Sequence, residues 1–152
     1  MKKIILAAAL VLGFAVAASA QPRALGVRIG NGGEISYQHS LSNSNFIEVD
    51  GGLGLGLIDG TFNVGATGIY NFMISEFGNG FGFYAGPGAG VGLAVGEVNY
   101  FALSAAGMVG IEYNFNFPLQ ISLDFRQHIG IGFNGNGIWV PSSVGLGLRY
   151  QF

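Results

Sequence analysis

The last nine residues of the chain constrain the fold most, because their polarity alternates with a period of two. Small or polar residues, among them Gly145, Gly147 and Arg149, occupy one parity. The other parity is apolar throughout and consists of Val144, Leu146, Leu148, Tyr150 and Phe152. Successive side chains of a strand point to opposite faces, so the pattern predicts a strand with one apolar face. A soluble β-sandwich could also end on such a strand, and the rest of the chain has to decide.

The same alternation recurs upstream, in segments separated by short runs rich in Gly, Asn and Ser. Asp59–Gly60, for example, is a typical two-residue hairpin turn. The segments before the last strand are 24–30, 34–40, 46–57, 62–72, 81–93, 101–114 and 119–133. Pro87 predicts a bulge or a locally unpaired position, and Gln127 on the apolar parity also suggests a bulge. The chain is therefore predicted to be all-β, an eight-stranded antiparallel up-and-down transmembrane barrel.

The N-terminal segment has the three parts of a secretory signal peptide. Lys2 and Lys3 precede an apolar run that ends in Ala18-Ser19-Ala20. We expect cleavage after Ala20, with 1–20 as the signal peptide and 21–152 as a single barrel domain. The mature part contains no uninterrupted apolar run long enough for a helical span, so a membrane location would require a closed barrel.

Charge is sparse and confined to one parity. Removal of the signal leaves four arginines, no lysine and eight acids, so a basic surface for nucleic acid is not expected. Arg23, Asp59, Glu76 and Glu97 fall at the N-terminus or in predicted turns, and none of the twelve charges falls on the apolar parity. The eight charges on the inner parity are Arg28, Glu34, Glu48, Asp50, Glu112, Asp124, Arg126 and Arg149. A charge facing lipid near the bilayer centre costs roughly 2–4 kcal/mol, which explains the exclusion.

Glycine fills most of the remaining inner parity, where a soluble sandwich would carry lysines and glutamates. The interior of an eight-stranded barrel is barely wide enough for side chains, so small residues must share it with the few large ones. Aromatic residues give a second pattern, because they recur where an up-and-down meander would bring strand ends to one rim. This predicted interfacial girdle comprises Tyr70, Phe72, Phe81, Phe83, Tyr113 and Phe115, together with Tyr150 and Phe152.

The inner charges predict a buried ionic network. Closure of the barrel would bring Arg28 near Arg149, with Asp124 and Arg126 on the adjacent strand and Glu34 across the first turn from Arg28. Paired in this way, the ions offset one another's desolvation. A path for protons or ions is the alternative interpretation of the same residues.

No catalytic, cofactor or metal site is expected. His39 and His128 fall on opposite parities, which disfavours a shared metal site, and the chain has no cysteine. An outer-membrane lipid A deacylase would need a His-x-Ser spacing and an acid on the outer face. His39 is followed directly by Ser40, and His128 by Ile129 and Gly130, so this spacing is missing.

The alternation that ends in Tyr150-Gln151-Phe152, together with the inner arginines and acids, resembles the small eight-stranded outer-membrane proteins, the family of the OmpA transmembrane domain, OmpX and Ail. The resemblance covers residues 21–152. It implies location in the outer membrane of a Gram-negative cell envelope, contact with outer-membrane lipid and a monomeric state. It also implies handling by periplasmic chaperones and insertion by the barrel-assembly machinery, which would read the last strand. The predicted outer loops are short, whereas adhesins of this family project long ones.

The expected function is therefore a structural or surface-interaction role in the envelope without catalysis. A narrow, porin-like pore for ions or small solutes is the first alternative, suggested by the glycine-lined inner parity. A soluble exported barrel or sandwich that binds a small apolar ligand is the second.

Overall fold

A computed structural model describes residues 22–55, 62–95, 99–133 and 138–152. The expected signal peptide, the Asp59–Gly60 turn, Glu97 and the predicted turn at 134–137 lie outside the described residues. Within them, no helix is long and apolar enough to cross a membrane.

In the described ranges, the chain forms eight long strands and one very short strand. The structure has β1 (Pro22–Ile29), β2 (Gly33–Ser40), β3 (Asn45–Leu55), β4 (Phe62–Phe77), β5 (Phe81–Val95), β6 (Tyr100–Asn114), β7 (Leu119–Phe133), β8 (Ile138–Trp139) and β9 (Ser142–Gln151). Each long strand pairs antiparallel with its neighbours in the chain, and β9 pairs with both β7 and β1. The predicted closed eight-stranded antiparallel barrel is thus confirmed.

The barrel has two ends that differ in what they carry. The terminal end holds residues 22 and 152 and the turns at 41–44, 78–80 and 115–118, whereas the turn at 30–32 lies at the distal end. In the first of these turns, Ser42 Oγ accepts hydrogen bonds from the backbone N–H groups of Ser44 and Asn45, at 3.3 and 3.1 Å. Hydrogen bonds from backbone N–H groups to a serine hydroxyl commonly stabilise tight turns.

Two bulges alter the alternation near the terminal end. In β1, Pro22 lies opposite His39 and Ala24 opposite Gln38, so Arg23 is an extra residue. In β4, Met73 lies opposite Tyr84 and Ser75 opposite Phe83, so Ile74 is extra. A bulge re-aims the side chains around it. Beyond the second bulge β4 continues to Phe77, and the turn predicted from Glu76 begins only at Gly78.

The two irregularities expected inside strands have different outcomes. The β4–β5 ladder skips the positions around Pro87 without a change of register, which is the expected local gap at a residue without an N–H. The prediction of a bulge at Gln127 is wrong, because Gln127 pairs in regular register with Gly107 and Ser142.

Candidate functional site in the barrel interior

Three arginines are among the largest fully buried side chains of the described structure. Arg28 of β1 donates from Nε to both carboxylate oxygens of Asp124, at 3.0 and 3.1 Å, and from Nη1 to Glu34 Oε2 at 2.8 Å. Glu34 lies directly opposite Arg28 in the β1–β2 register. Each charge of this group therefore has an opposite charge within hydrogen-bond distance, which offsets the cost of burial.

Arg126 of β7 connects this group to the centre of the barrel. Its Nη1 lies 3.2 Å from Glu34 Oε2, and its Nη2 lies 3.5 Å from Glu48 Oε1 and also contacts Asp50 Oδ2. Glu34 thus lies between Arg28 and Arg126. The guanidinium of Arg126 faces three carboxylates contributed by two neighbouring strands, β2 and β3.

Arg149 of β9 lies on the terminal side of the network. Its Nη2 is 3.1 Å from Glu48 Oε1, and it donates to Ser36 Oγ at 2.8 Å and to Ser122 Oγ at 2.6 Å. Arg28 and Arg149 come from neighbouring strands, as closure requires, but Arg28 pairs with Asp124 and Glu34 whereas Arg149 pairs with Glu48. The two arginines therefore belong to one network of ion pairs, but they do not share a carboxylate.

Glu112, the remaining inner acid, is paired with Arg23. The guanidinium of Arg23 also lies 4.1 Å above the ring of Phe46 and donates to Gln38 Oε1 at 2.9 Å. The sequence places Arg23 at the N-terminus, ahead of the first predicted strand at 24–30, and so gives it no face. In the structure Arg23 is the extra residue of the bulge in β1, and its side chain contacts Gln38 and Glu112.

Neutral side chains complete the interior. Gln38 donates to Glu48 Oε2 at 2.7 Å and Gln120 donates to Glu112 Oε2 at 3.2 Å, so amides bridge the ionic groups. A small apolar cluster fills the remaining space and consists of Phe46, Ile69, Tyr84 and Met108, with Met73 and Ala106 packed against it. These residues share the inner parity with the charges, and that parity was the signal that could have identified them.

Several inner glycines are required by this packing. A Cβ on Gly110 would lie 2.5 Å from the Tyr84 hydroxyl, and one on Gly145 would collide with the Arg28 guanidinium. A Cβ on Gly147 would overlap Ser122 and Arg149. Gly110 and Gly145 thus lie beneath a large side chain from a neighbouring strand, and Gly147 lies beneath Ser122 of β7 and Arg149 of its own strand. This is how a narrow barrel contains three arginines.

A cavity lies at each end of the filled section. The terminal cavity has a volume of about 380 Å³ and is lined by Arg23, Glu76 and Glu112 among others. The distal cavity has a volume of about 360 Å³, and Arg28 and Glu34 contribute to its lining. The network of buried ions lies between the two cavities.

The two histidines lie apart and differ in their surroundings. His39 contacts the Tyr37 hydroxyl through Nδ1 at 3.2 Å, and Tyr37 is its neighbour on the outer parity. His128 faces inward, with Nδ1 3.0 Å from Ser104 Oγ. Among the described residues, no group of three or more His, Cys, Asp or Glu side chains could hold a metal ion.

The predicted girdle residues lie at the terminal end. Phe81, Tyr113 and Phe115 form a continuous row with ring-centroid distances of 4.5 and 4.7 Å. Phe117, which the pattern did not single out, extends the row at 5.0 Å. Tyr70 and Phe72 contact each other at 4.9 Å, and Tyr150 and Phe152 at 5.5 Å. The five apolar residues of the last strand, Val144, Leu146, Leu148, Tyr150 and Phe152, are all exposed on the outer face.

Comparisons of the chain with protein-family models, with curated proteins and with solved structures found no match.

Proposed function

We propose that this protein is a small outer-membrane β-barrel with a structural or surface-interaction role in the bacterial envelope and no catalytic activity. The observation that carries the proposal is the inverted distribution of polarity. Arg28, Arg126 and Arg149 are each 1 % exposed, whereas Ile35 is 66 % and Val144 62 % exposed. In water this arrangement would leave a large apolar surface uncovered. In lipid the exposed apolar side chains would contact hydrocarbon, while the arginines remain paired with carboxylates inside the barrel.

The apolar surface continues around the barrel. Every long strand contributes to it, and its large members include Leu25, Val27, Ile29, Ile35, Val49, Leu53, Val64, Phe72, Val91, Leu93, Leu103, Val109, Ile111, Leu123, Phe125, Ile129, Ile131, Val144, Leu146 and Leu148. None of the charged residues in the described ranges lies on the outer face of a strand within this band. Contiguous apolar patches on soluble monomers rarely exceed a few hundred Å². A band on all sides is suited to lipid.

The proposed orientation rests on the end of the barrel that carries residues 22 and 152, which also carries an aromatic row. Aromatic side chains are enriched where a membrane barrel meets the lipid headgroups on either side. The row formed by Phe81, Tyr113, Phe115 and Phe117 lies at the terminal end, together with residues 22 and 152. We infer that the terminal end faces the periplasm and the distal end the cell exterior.

The filled interior favours a structural role over transport. Between the two cavities, Arg126 and Arg149 are held by carboxylates from β2 and β3, and the ring of Tyr84 occupies the space that Gly110 leaves free. Movement of a solute would require several of these ion pairs to separate in a region of low dielectric constant. The cavities at both ends favour a narrow pore as the second candidate.

The last strand is the proposed contact for the envelope's own assembly apparatus. Its exposed apolar residues end at Phe152, next to the aromatic residue Tyr150. We infer that periplasmic chaperones and the barrel-assembly machinery bind this segment before the strand pairs with β1. A Phe152→Ser variant is expected to accumulate outside the membrane, while Phe117→Ser at the same rim is the matched control.

Cell fractionation combined with gel mobility tests the proposal. The protein should be recovered with the outer membrane, and the unboiled sample in detergent should migrate differently from the boiled one, because a closed barrel resists the detergent. Planar-bilayer recording of the same folded sample then separates the two candidates, since a sealed barrel gives no steady conductance. Recovery in the soluble periplasmic fraction would contradict both candidates and favour an exported soluble barrel.

A further inference from the structure

One row of the wall of the distal cavity consists mostly of small residues. Glu34, Gly52, Gly65, Gly92 and Ala102 are consecutive cross-strand neighbours from β2 to β6. All of them line the cavity, whose volume is about 360 Å³. The row runs just inside the distal end, and Asn31 and Gly32 of the first turn also line the cavity.

The packing of the barrel does not require glycine at every position of this row. A Cβ on Gly92 would find only Val64 O within 4 Å, at 3.8 Å, which is an ordinary contact. A Cβ on Gly110 or Gly86 would instead collide with Tyr84 or with the β4 backbone. Gly110 and Gly86 are therefore glycines that the fold needs, whereas Gly92 keeps space free that a larger side chain could fill.

Three polar side chains converge on the next row inward. A Cβ on Gly90 would lie 2.9 Å from Ser104 Oγ, 3.1 Å from Thr67 Oγ1 and 3.3 Å from His128 Cε1. Ser104 Oγ also lies 3.0 Å from His128 Nδ1 and 3.4 Å from Gly90 O. Two hydroxyls and an imidazole, each able to donate or accept a hydrogen bond, thus lie at the wall of the cavity.

The charges at the floor of the cavity are compensated. Arg28 is bound by Asp124 and Glu34, and Glu34 also contacts Arg126. Neither an anion nor a cation would therefore find an unpaired partner on this floor. The wall chemistry suits a neutral molecule with several hydroxyl groups. The cavity volume of about 360 Å³ is enough for a molecule of monosaccharide size.

We propose that the distal cavity is a binding site for a neutral, polyhydroxylated molecule of monosaccharide size. Thr67, Ser104 and His128 would contact its hydroxyl groups, and the Gly65–Gly92 wall would admit its ring. This binding role goes beyond the structural role proposed above and does not depend on a membrane location, because Thr67, Ser104 and His128 lie on the inner face of their strands.

Ligand-observed saturation-transfer NMR on the folded protein in detergent micelles tests the site. The probes are methyl α-D-glucopyranoside, methyl α-D-mannopyranoside and methyl β-D-galactopyranoside, with glucuronate as the charged comparison. At least one glycoside should give a saturable signal, and glucuronate should bind at least about tenfold more weakly. If none of the three glycosides saturates up to about 50 mM, or if glucuronate binds as well as they do, the proposal is wrong.

Variants locate the binding within the barrel. Gly92→Leu should fill the cavity and weaken glycoside binding at least about tenfold. Gly51→Leu is the matched control, because a Cβ there meets nothing within 4 Å and points to the outer face, and it should bind as the parent does. Ser104→Ala provides a second test if Gly92→Leu yields no folded barrel, and it too should weaken binding. Unchanged binding in the folded cavity variants would contradict the proposal.

Discussion

Arg28 and Glu34 face each other across the first hairpin, and the 2.8 Å contact between them is the outermost ion pair of the buried network. The side chain of Glu34 is 26 % exposed, while that of Asp124, the other partner of Arg28, is fully buried. The two carboxylates thus bind the same guanidinium but differ in their exposure to solvent. This difference allows the energetic role of burial to be measured inside one barrel.

We expect Asp124→Asn to cost about 3–5 kcal/mol of unfolding free energy, because it leaves Arg28 with a buried charge that Glu34 alone must compensate. Glu34→Gln should cost clearly less, since water can replace part of its interaction with Arg28. Urea unfolding of the refolded barrel in detergent micelles gives both values. Equal losses of unfolding free energy in the two variants would show that burial does not strengthen the Arg28–Asp124 pair.

The packing of Tyr84 against Gly110 predicts a second contrast. Gly110→Ala should destabilise the barrel by about 1–3 kcal/mol, because the added Cβ would lie 2.5 Å from the Tyr84 hydroxyl. Gly107→Ala, on the outer face of the same strand with nothing within 4 Å, is the matched control and should change stability by less than about 0.5 kcal/mol. Thermal unfolding followed by gel mobility compares the two. Similar shifts would mean that the interior is looser than described.

The bulge at Arg23 predicts coupling between the chain start and β6. Arg23→Met should destabilise the barrel because it leaves the buried carboxylate of Glu112 without its cation, and Arg23→Met combined with Glu112→Gln should recover part of the loss. A double-mutant cycle measured by urea unfolding gives the coupling energy, expected at about 1–3 kcal/mol. Additive effects of the two substitutions would show that the pair is not formed.

The outer face predicts a dependence on depth. Val109→Arg, in the middle of β6, should cost about 2–4 kcal/mol in lipid vesicles, whereas Ile138→Arg near the distal end should cost about 0–1 kcal/mol. Both parent residues are exposed, so packing changes little. Unfolding from vesicles of defined composition measures the two costs. A cost near zero at both positions would indicate that the face contacts water.

Much of this architecture follows from the alternation alone, because parity assigns each strand residue to one face. Parity predicts that Arg126 and Arg149 point inward, and the strand register brings both of them to Glu48. The failures occur where the register changes. Arg23 is the extra residue of one bulge, and Glu76 follows another. Whether a bulge forms depends on the residues of the paired strand, so alternation along a single strand cannot predict it.

Gln127 shows a second reason for failure. Its Nε2 donates to Pro141 O and to His128 O, both at 3.0 Å, at the interruption between β8 and β9. Val140 and Pro141 break the last strand in two, and the Pro141 carbonyl accepts hydrogen bonds from both the Gln127 amide and the His128 backbone N–H, at 3.0 and 2.9 Å. The polar residue on the apolar face is thus explained by a partner in the interruption between β8 and β9, 14 residues further along the chain.

The most direct test of the central proposal measures what surrounds the outer face. The chain has no cysteine, so single spin labels can be placed at Val109→Cys and Leu123→Cys in mid-barrel and at Asn116→Cys in the turn at the terminal end. In reconstituted vesicles, the two mid-barrel labels should collide often with oxygen and rarely with a water-soluble nickel chelate, and the turn label should show the opposite pattern. If all three labels are equally accessible to the nickel chelate, the barrel is surrounded by water and the proposed membrane location is wrong.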